Sequence, residues 1–116
     1  MKIAIIGSRS IKIQNLSDYL PQNLSEIVSG GARGVDRCAE KYAKRNGIKL
    51  TVFLPNYTLY GKSAPLKRND QIAAYADMVI AFWDGKSRGT LYTVRQFKML
   101  NKPIKLFRLI PDSSKF

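Results

Sequence analysis

The chain has 116 residues, 45% hydrophobic and 24% charged, the proportions of a globular protein, which excludes a disordered or low-complexity chain. Twenty Lys and Arg against eight Asp and Glu give a net charge of +12, so the expected partner is anionic, and the absence of His excludes any mechanism using the chain's own imidazole. The lone Cys38 excludes an internal disulfide and every multi-cysteine zinc site, so a zinc enzyme is not expected.

Along the chain, short apolar runs alternate with segments of helical period, the pattern of a mostly parallel sheet with helices on both faces. Residues 2–6 read as a first strand, nearly all apolar as a doubly covered strand should be. Ile13, Leu16, Tyr19 and Leu20 then share one helical stripe that Pro21 ends, and residues 27–29 form a short second strand. Val35, Cys38, Ala39, Tyr42 and Ala43 follow the i, i+3, i+4, i+7 pattern of a helix stopped by Gly47, with Lys41, Lys44 and Arg45 opposite and Cys38 a small core residue. Residues 49–54 form a third strand, and a polar loop leads to Pro65, which opens a helix running to about Ala76. Residues 78–82 make a fourth strand. Leu91, Val94, Phe97 and Leu100 stripe a last helix, and residues 104–109 make a fifth strand. The expected organisation is one domain over 1–110 and a flexible tail over 111–116. Residues 3–6 stop at Gly7 without a cleavage signal, and no apolar stretch nears the roughly 20 residues that cross a bilayer, so the expected location is cytoplasmic, without a membrane partner.

In such a sheet the strand-to-helix loops gather at the carboxyl edge, where ligands bind. Three of these loops carry Gly beside Ser, Thr or Arg: Gly7, Ser8 and Arg9; Gly30, Gly31, Ala32, Gly34 and Asp36; Asp84, Gly85, Ser87, Gly89 and Thr90. Any one of them alone reads as a tight turn. Their coincidence at one edge of a basic protein predicts a cleft for an anionic ligand, because glycines let backbone N–H groups approach it. Asp36 reads either as a charge suited to the helix dipole or as an acceptor for ribose hydroxyls. Thr90 reads as an N-cap, a phosphate donor or both. Arg9, directly after a buried strand, can grip phosphate with two hydrogen bonds, and Tyr57, Tyr60 and Trp83 can stack a base. The P-loop and dinucleotide fingerprints are absent, which counts against a P-loop nucleotide triphosphatase and an ordinary dinucleotide oxidoreductase.

At these residues the chain resembles the SLOG superfamily, and within it the small YspA-like proteins of bacteria and phages. The resemblance rests on Gly7-Ser8-Arg9, on the segment Ser29, Gly30, Gly31, Ala32, Gly34 and Asp36, on the pair Arg68-Asn69, and on the loop Asp84, Gly85, Ser87, Gly89 and Thr90. It implies a Rossmann-like three-layer α/β sandwich that binds a nucleotide or nucleotide-derived ligand, such as a nucleoside monophosphate or an ADP-ribose-like molecule, with no metal and no cofactor implied. The related lonely-guy enzymes hydrolyse an N-glycosidic bond with an Arg, matched by Arg68, and a Glu that stands three residues after the motif Thr. Here that position holds Thr93, so Asp36 and Asp84 join Arg68 as catalytic candidates if hydrolysis occurs. The alternative function is a single-stranded nucleic-acid-binding module resembling DNA-processing protein A. A homo-oligomer is left open.

Overall fold

A computed structural model describes residues 1–110; the tail expected at 111–116 lies outside the described residues. Five strands, β1 (Lys2–Gly7), β2 (Glu26–Ser29), β3 (Lys49–Val52), β4 (Met78–Trp83) and β5 (Ile104–Arg108), form one sheet in the order β3-β2-β1-β4-β5. Every pairing is parallel, with Ile3 opposite Ile27 and Met78, and Val79 opposite Ile104. The chain builds outward from β1 to β3, then returns to place β4 on the other side of β1. The order therefore reverses between β1 and β4, and a crevice opens beyond their carboxyl ends.

Alternation along the central strands divides the core into two layers. Ile3, Ile5, Ile27, Ile80 and Phe82 pack against α1 (Val35–Arg45) through Val35, Ala39 and Ala43. Ala4, Ile6, Val28, Val79 and Ala81 pack against α3 (Ala64–Tyr75) and α4 (Arg88–Met99) through Ile72, Ala73 and Phe97. The short α2 (Tyr57–Tyr60) stands between β3 and α3.

The structure corrects two expected elements. The segment between β1 and β2 contains one 3-10 turn, Leu16–Tyr19, in place of an α-helix. Ile11 and Ile13 are both buried in the core layer that holds Val35 and Ala39, a spacing of two that one helical face does not give, and the Ile13 N–H donates to Cys38 Sγ at 3.4 Å. The expected apolar stripe still faces the core: Leu16 is buried, and Tyr19 sets its ring edge against Phe82 and Phe107. In α4 the buried line is Thr90, Thr93 and Phe97, while Leu100 is half exposed and Leu91 lies off the core. The two threonines satisfy their hydroxyls locally, so a line that looks polar in sequence can be buried.

The amino edge of the sheet carries its own polar lock. Glu26, 5% exposed at the start of β2, accepts hydrogen bonds from Thr51 Oγ1 at 2.7 Å and Tyr75 Oη at 2.6 Å, and Lys49 stands 3.4 Å away. The Lys102 ammonium donates to the carbonyls of Ala73, Ala74 and Ala76, closing the C-terminal end of α3.

Candidate functional site

The three glycine-bearing loops meet at the carboxyl edge around an open cleft of about 440 Å³. Among the residues expected there, Gly7, Arg9, Ala32, Asp36, Arg68, Asn69, Asp84, Ser87, Gly89 and Thr90 line it, and Thr93 lies at its wall. Ser8, Gly30, Gly31, Gly34 and Gly85 are not lining residues; they shape the loops from behind. Gly34 has φ +76°, and a Cβ there would stand 2.6 Å from the Ser8 carbonyl oxygen, so its missing side chain lets the second loop rest on the first. Gly85 leaves space for the Arg108 guanidinium, and Gly31 for Leu54.

Asp36 is 5% exposed in the first turn of α1, yet its carboxylate turns back from the helix. Oδ2 accepts the Gly30 N–H at 3.1 Å and the Ala32 N–H at 3.3 Å, so Asp36 holds the second loop in shape. Burial dominates its titration and pushes its pKa up to about 6, against the lowering effect of the Ala32 and Gly30 N–H groups and of the Arg68 charge. Arg68, 9% exposed on α3, donates from Nη1 to the Gly30 carbonyl and from Nε to Asn69 Oδ1 at 2.7 Å. Burial lowers its pKa from the ordinary value; Asp36 and Tyr57 oppose that, while the like charge of Arg9 adds to it. Arg9 is exposed at the rim. The single ion pair among the described residues joins Lys49 to Glu26 at the opposite edge, so neither cleft arginine has a carboxylate within ion-pair distance.

Across the cleft the fourth-strand loop prepares the start of α4. Asp84 Oδ1 accepts the N–H groups of Lys86 at 2.8 Å and Ser87 at 2.9 Å, and Oδ2 accepts the Ser10 hydroxyl at 2.9 Å. These bonds, Lys86 first, outweigh burial and hold the Asp84 pKa down at about 2. Ser87 is the N-cap, accepting the Thr90 N–H at 3.3 Å, which corrects the expectation that Thr90 caps this helix. Thr90 is the third residue of α4, its hydroxyl 3.0 Å from that of Ser87. Thr93 Oγ1 donates to the Gly89 carbonyl at 2.9 Å.

The aromatic side chains expected to stack a base lie outside the lining. Trp83 Nε1 donates to the Ser87 carbonyl at 3.0 Å, with Arg108 over its ring, and Tyr57 and Tyr60 are exposed on α2. Sequence reasoning missed Ile6, Ser10, Pro65, Leu66 and Ile72, which complete the wall. Ser10 was reachable, standing next to Arg9. Leu66 and Ile72 join the site only because α3 packs beside β1, a long-range arrangement without a local signal. No group of three or more His, Cys, Asp or Glu among the described residues is placed to hold a metal, and no helix among them is long and apolar enough to cross a membrane.

Comparison with known proteins agrees with this architecture. Residues 1–60 match the family described as YAcAr: YspA, cpYpsA-related SLOG family. The Gene 61 protein of Mycobacterium phage D29 is 33% identical over 117 residues, covering 89% of this chain and 93% of the phage protein. The X-ray structure of DNA processing protein A from Streptococcus pneumoniae superposes with a TM-score of 0.73 at 24% identity, over 97% of this chain; the chain spans only 51% of that protein. A structure of DNA processing protein A from Helicobacter pylori, described by its single-stranded DNA binding mode, gives a TM-score of 0.68 at 27% identity, over 98% of this chain and 67% of that one.

Proposed function

We propose that this chain, which belongs to the YspA-related SLOG family, binds a nucleotide-type ligand by its phosphate in the cleft between the Gly30 to Asp36 and Asp84 to Thr90 loops. One observation carries the reading: Arg9 and Arg68 line the same cleft with no carboxylate within ion-pair distance of either, so a phosphate between them takes up guanidinium N–H groups that the fold leaves free. The first turn of α4 faces the same space and adds favourable dipole, with Thr90 able to donate its hydroxyl. The volume lies within the roughly 300–1,000 Å³ typical of small-ligand sites. In this reading Asp36, buried beside Arg68, accepts a hydroxyl from the sugar.

Single-stranded nucleic acid is the second reading. It is favoured by the net charge of +12, much of it outside the cleft, and by the single-stranded DNA binding described for the Helicobacter pylori relative. One titration tests both. Calorimetry with AMP, ADP-ribose, NAD and cyclic nucleotides is expected to show binding with a shallow salt dependence, abolished by Arg9→Ala with Arg68→Ala. No heat at millimolar ligand, together with oligonucleotide binding whose salt slope reports several phosphates, would replace the first reading with the second.

A further inference from the structure

A second concavity of about 400 Å³ lies beside the cleft, lined by Leu66 at the start of α3 and by Arg88, Gly89, Leu91, Tyr92 and Arg95 of α4. Leu66 and Gly89 line both spaces, so the two are neighbours that share one wall. Positions 88, 91, 92 and 95 follow the i, i+3, i+4, i+7 spacing of a single helix face. That face turns away from the buried line of Thr90, Thr93 and Phe97. Leu91 therefore belongs to the groove and not to the core, which accounts for an apolar residue the core does not use.

The lining combines apolar surface with two cations. Arg88 and Arg95 are exposed, and neither has an ion-pair partner among the described residues. Tyr92 is fixed at the groove by its hydroxyl, which donates to Asp70 Oδ1 at 2.7 Å, so its ring is held in place for a flat partner. An apolar floor, an anchored aromatic ring and two unpaired guanidinium groups suit one base with its phosphate, since stacking takes any base and Arg takes the phosphate oxygens.

We infer that the cleft ligand extends beyond one nucleotide, and that its second phosphodiester-linked unit lies in the groove between Leu66 and Arg95. The inference rests on the nucleotide reading of the cleft and adds its length. Two sources share this chemistry, a dinucleotide and a single strand.

The test compares 5′-dAMP, the dinucleotide pdApdA and a hexanucleotide of dA by calorimetry, on the full chain and on Arg88→Ala/Arg95→Ala. The dinucleotide is expected to bind about tenfold or more tighter than dAMP. The double variant removes that gain, and Arg95→Ala, whose side chain does not line the cleft, leaves dAMP affinity within about twofold. Arg95→Ala alone, two turns from the cap, gives part of the same loss and guards against a disturbed helix start. A further gain from the hexanucleotide with a steep salt slope assigns a strand; no further gain assigns a dinucleotide. Equal binding of dAMP and pdApdA, or a double variant that weakens both alike, overturns the inference while the cleft reading stands. Failure of all three ligands to bind overturns both.

Discussion

Asp36 and Arg68 hold the same residue from its two sides: the Gly30 N–H donates to the Asp36 carboxylate, and the Gly30 carbonyl accepts from the Arg68 guanidinium. A Cβ on residue 30 would stand 2.9 Å from Arg68 Nη1 and 3.0 Å from Asp36 Oδ2. Gly30→Ala is therefore expected to displace the guanidinium, weaken ligand binding at least about tenfold and cost about 1–3 kcal/mol of stability. Calorimetry and urea denaturation measure the two effects separately.

The two cleft arginines should differ in what their loss does. Arg9 is exposed, so Arg9→Ala is expected to change stability by no more than about 0.5 kcal/mol while weakening a phosphate ligand about 10- to 100-fold. Arg68→Ala loses the Gly30 bond and leaves Asp36 without its compensating charge, at a cost of about 2 kcal/mol or more as well as the affinity. Equal destabilisation by both variants in denaturant titrations contradicts this division.

Protonation of Asp36 links stability to pH. Its folded pKa, near 6, lies above the ordinary 3.8, so the fold favours the neutral acid. That contribution is fully present below about pH 3.8 and is lost as pH rises through 6. Asp36→Asn keeps an acceptor for the Gly30 and Ala32 N–H groups without the charge. Its stability relative to wild type should therefore improve between pH 4 and pH 7, by up to about 3 kcal/mol. Denaturation curves at both pH values decide the sign.

The sequence made the sheet legible because its strands are continuous apolar runs, and it made the loops legible because glycines mark them. The segment after β1 was harder: Ile13, Leu16, Tyr19 and Leu20 fit a helical stripe, but the nearby pair Ile11 and Ile13 prefers extended chain, and only packing on the sheet decides between them. At α4, apolarity pointed to Leu91 and Leu100, whereas burial chose Thr90 and Thr93, whose hydroxyls find partners within one turn. For the candidate site, ten of the expected residues border the cleft. The role of Asp36 as the clamp of its own loop was invisible, since its partners are backbone groups at positions 30 and 32.

Catalysis gives a sharper test of Thr93. It is 2% exposed at the cleft wall, its hydroxyl spent on Gly89, and Asp84 is committed to Lys86, Ser87 and Ser10. Wild type is therefore expected to bind AMP and release adenine slowly or not at all, since one missing acid or base costs a factor of about 100 to 10,000. Thr93→Glu should raise the release measured by chromatography. Rapid release by wild type that Arg68→Ala abolishes would assign the carboxylate role to Asp36, whose pKa near 6 suits proton exchange.

The Lys102 ammonium and the Tyr75 to Glu26 bond fasten the last turns of α3, while its first turns, with Leu66 and Lys67 exposed, carry Arg68 to the cleft. The near half is held only from the cleft side, by Arg68 on Gly30 and by Tyr92 on Asp70, so the two halves should open to solvent at different rates. Amide hydrogen exchange is expected to be slow at 72–76 in free protein and faster at 66–70, and occupation of the cleft should slow the second group far more than the first.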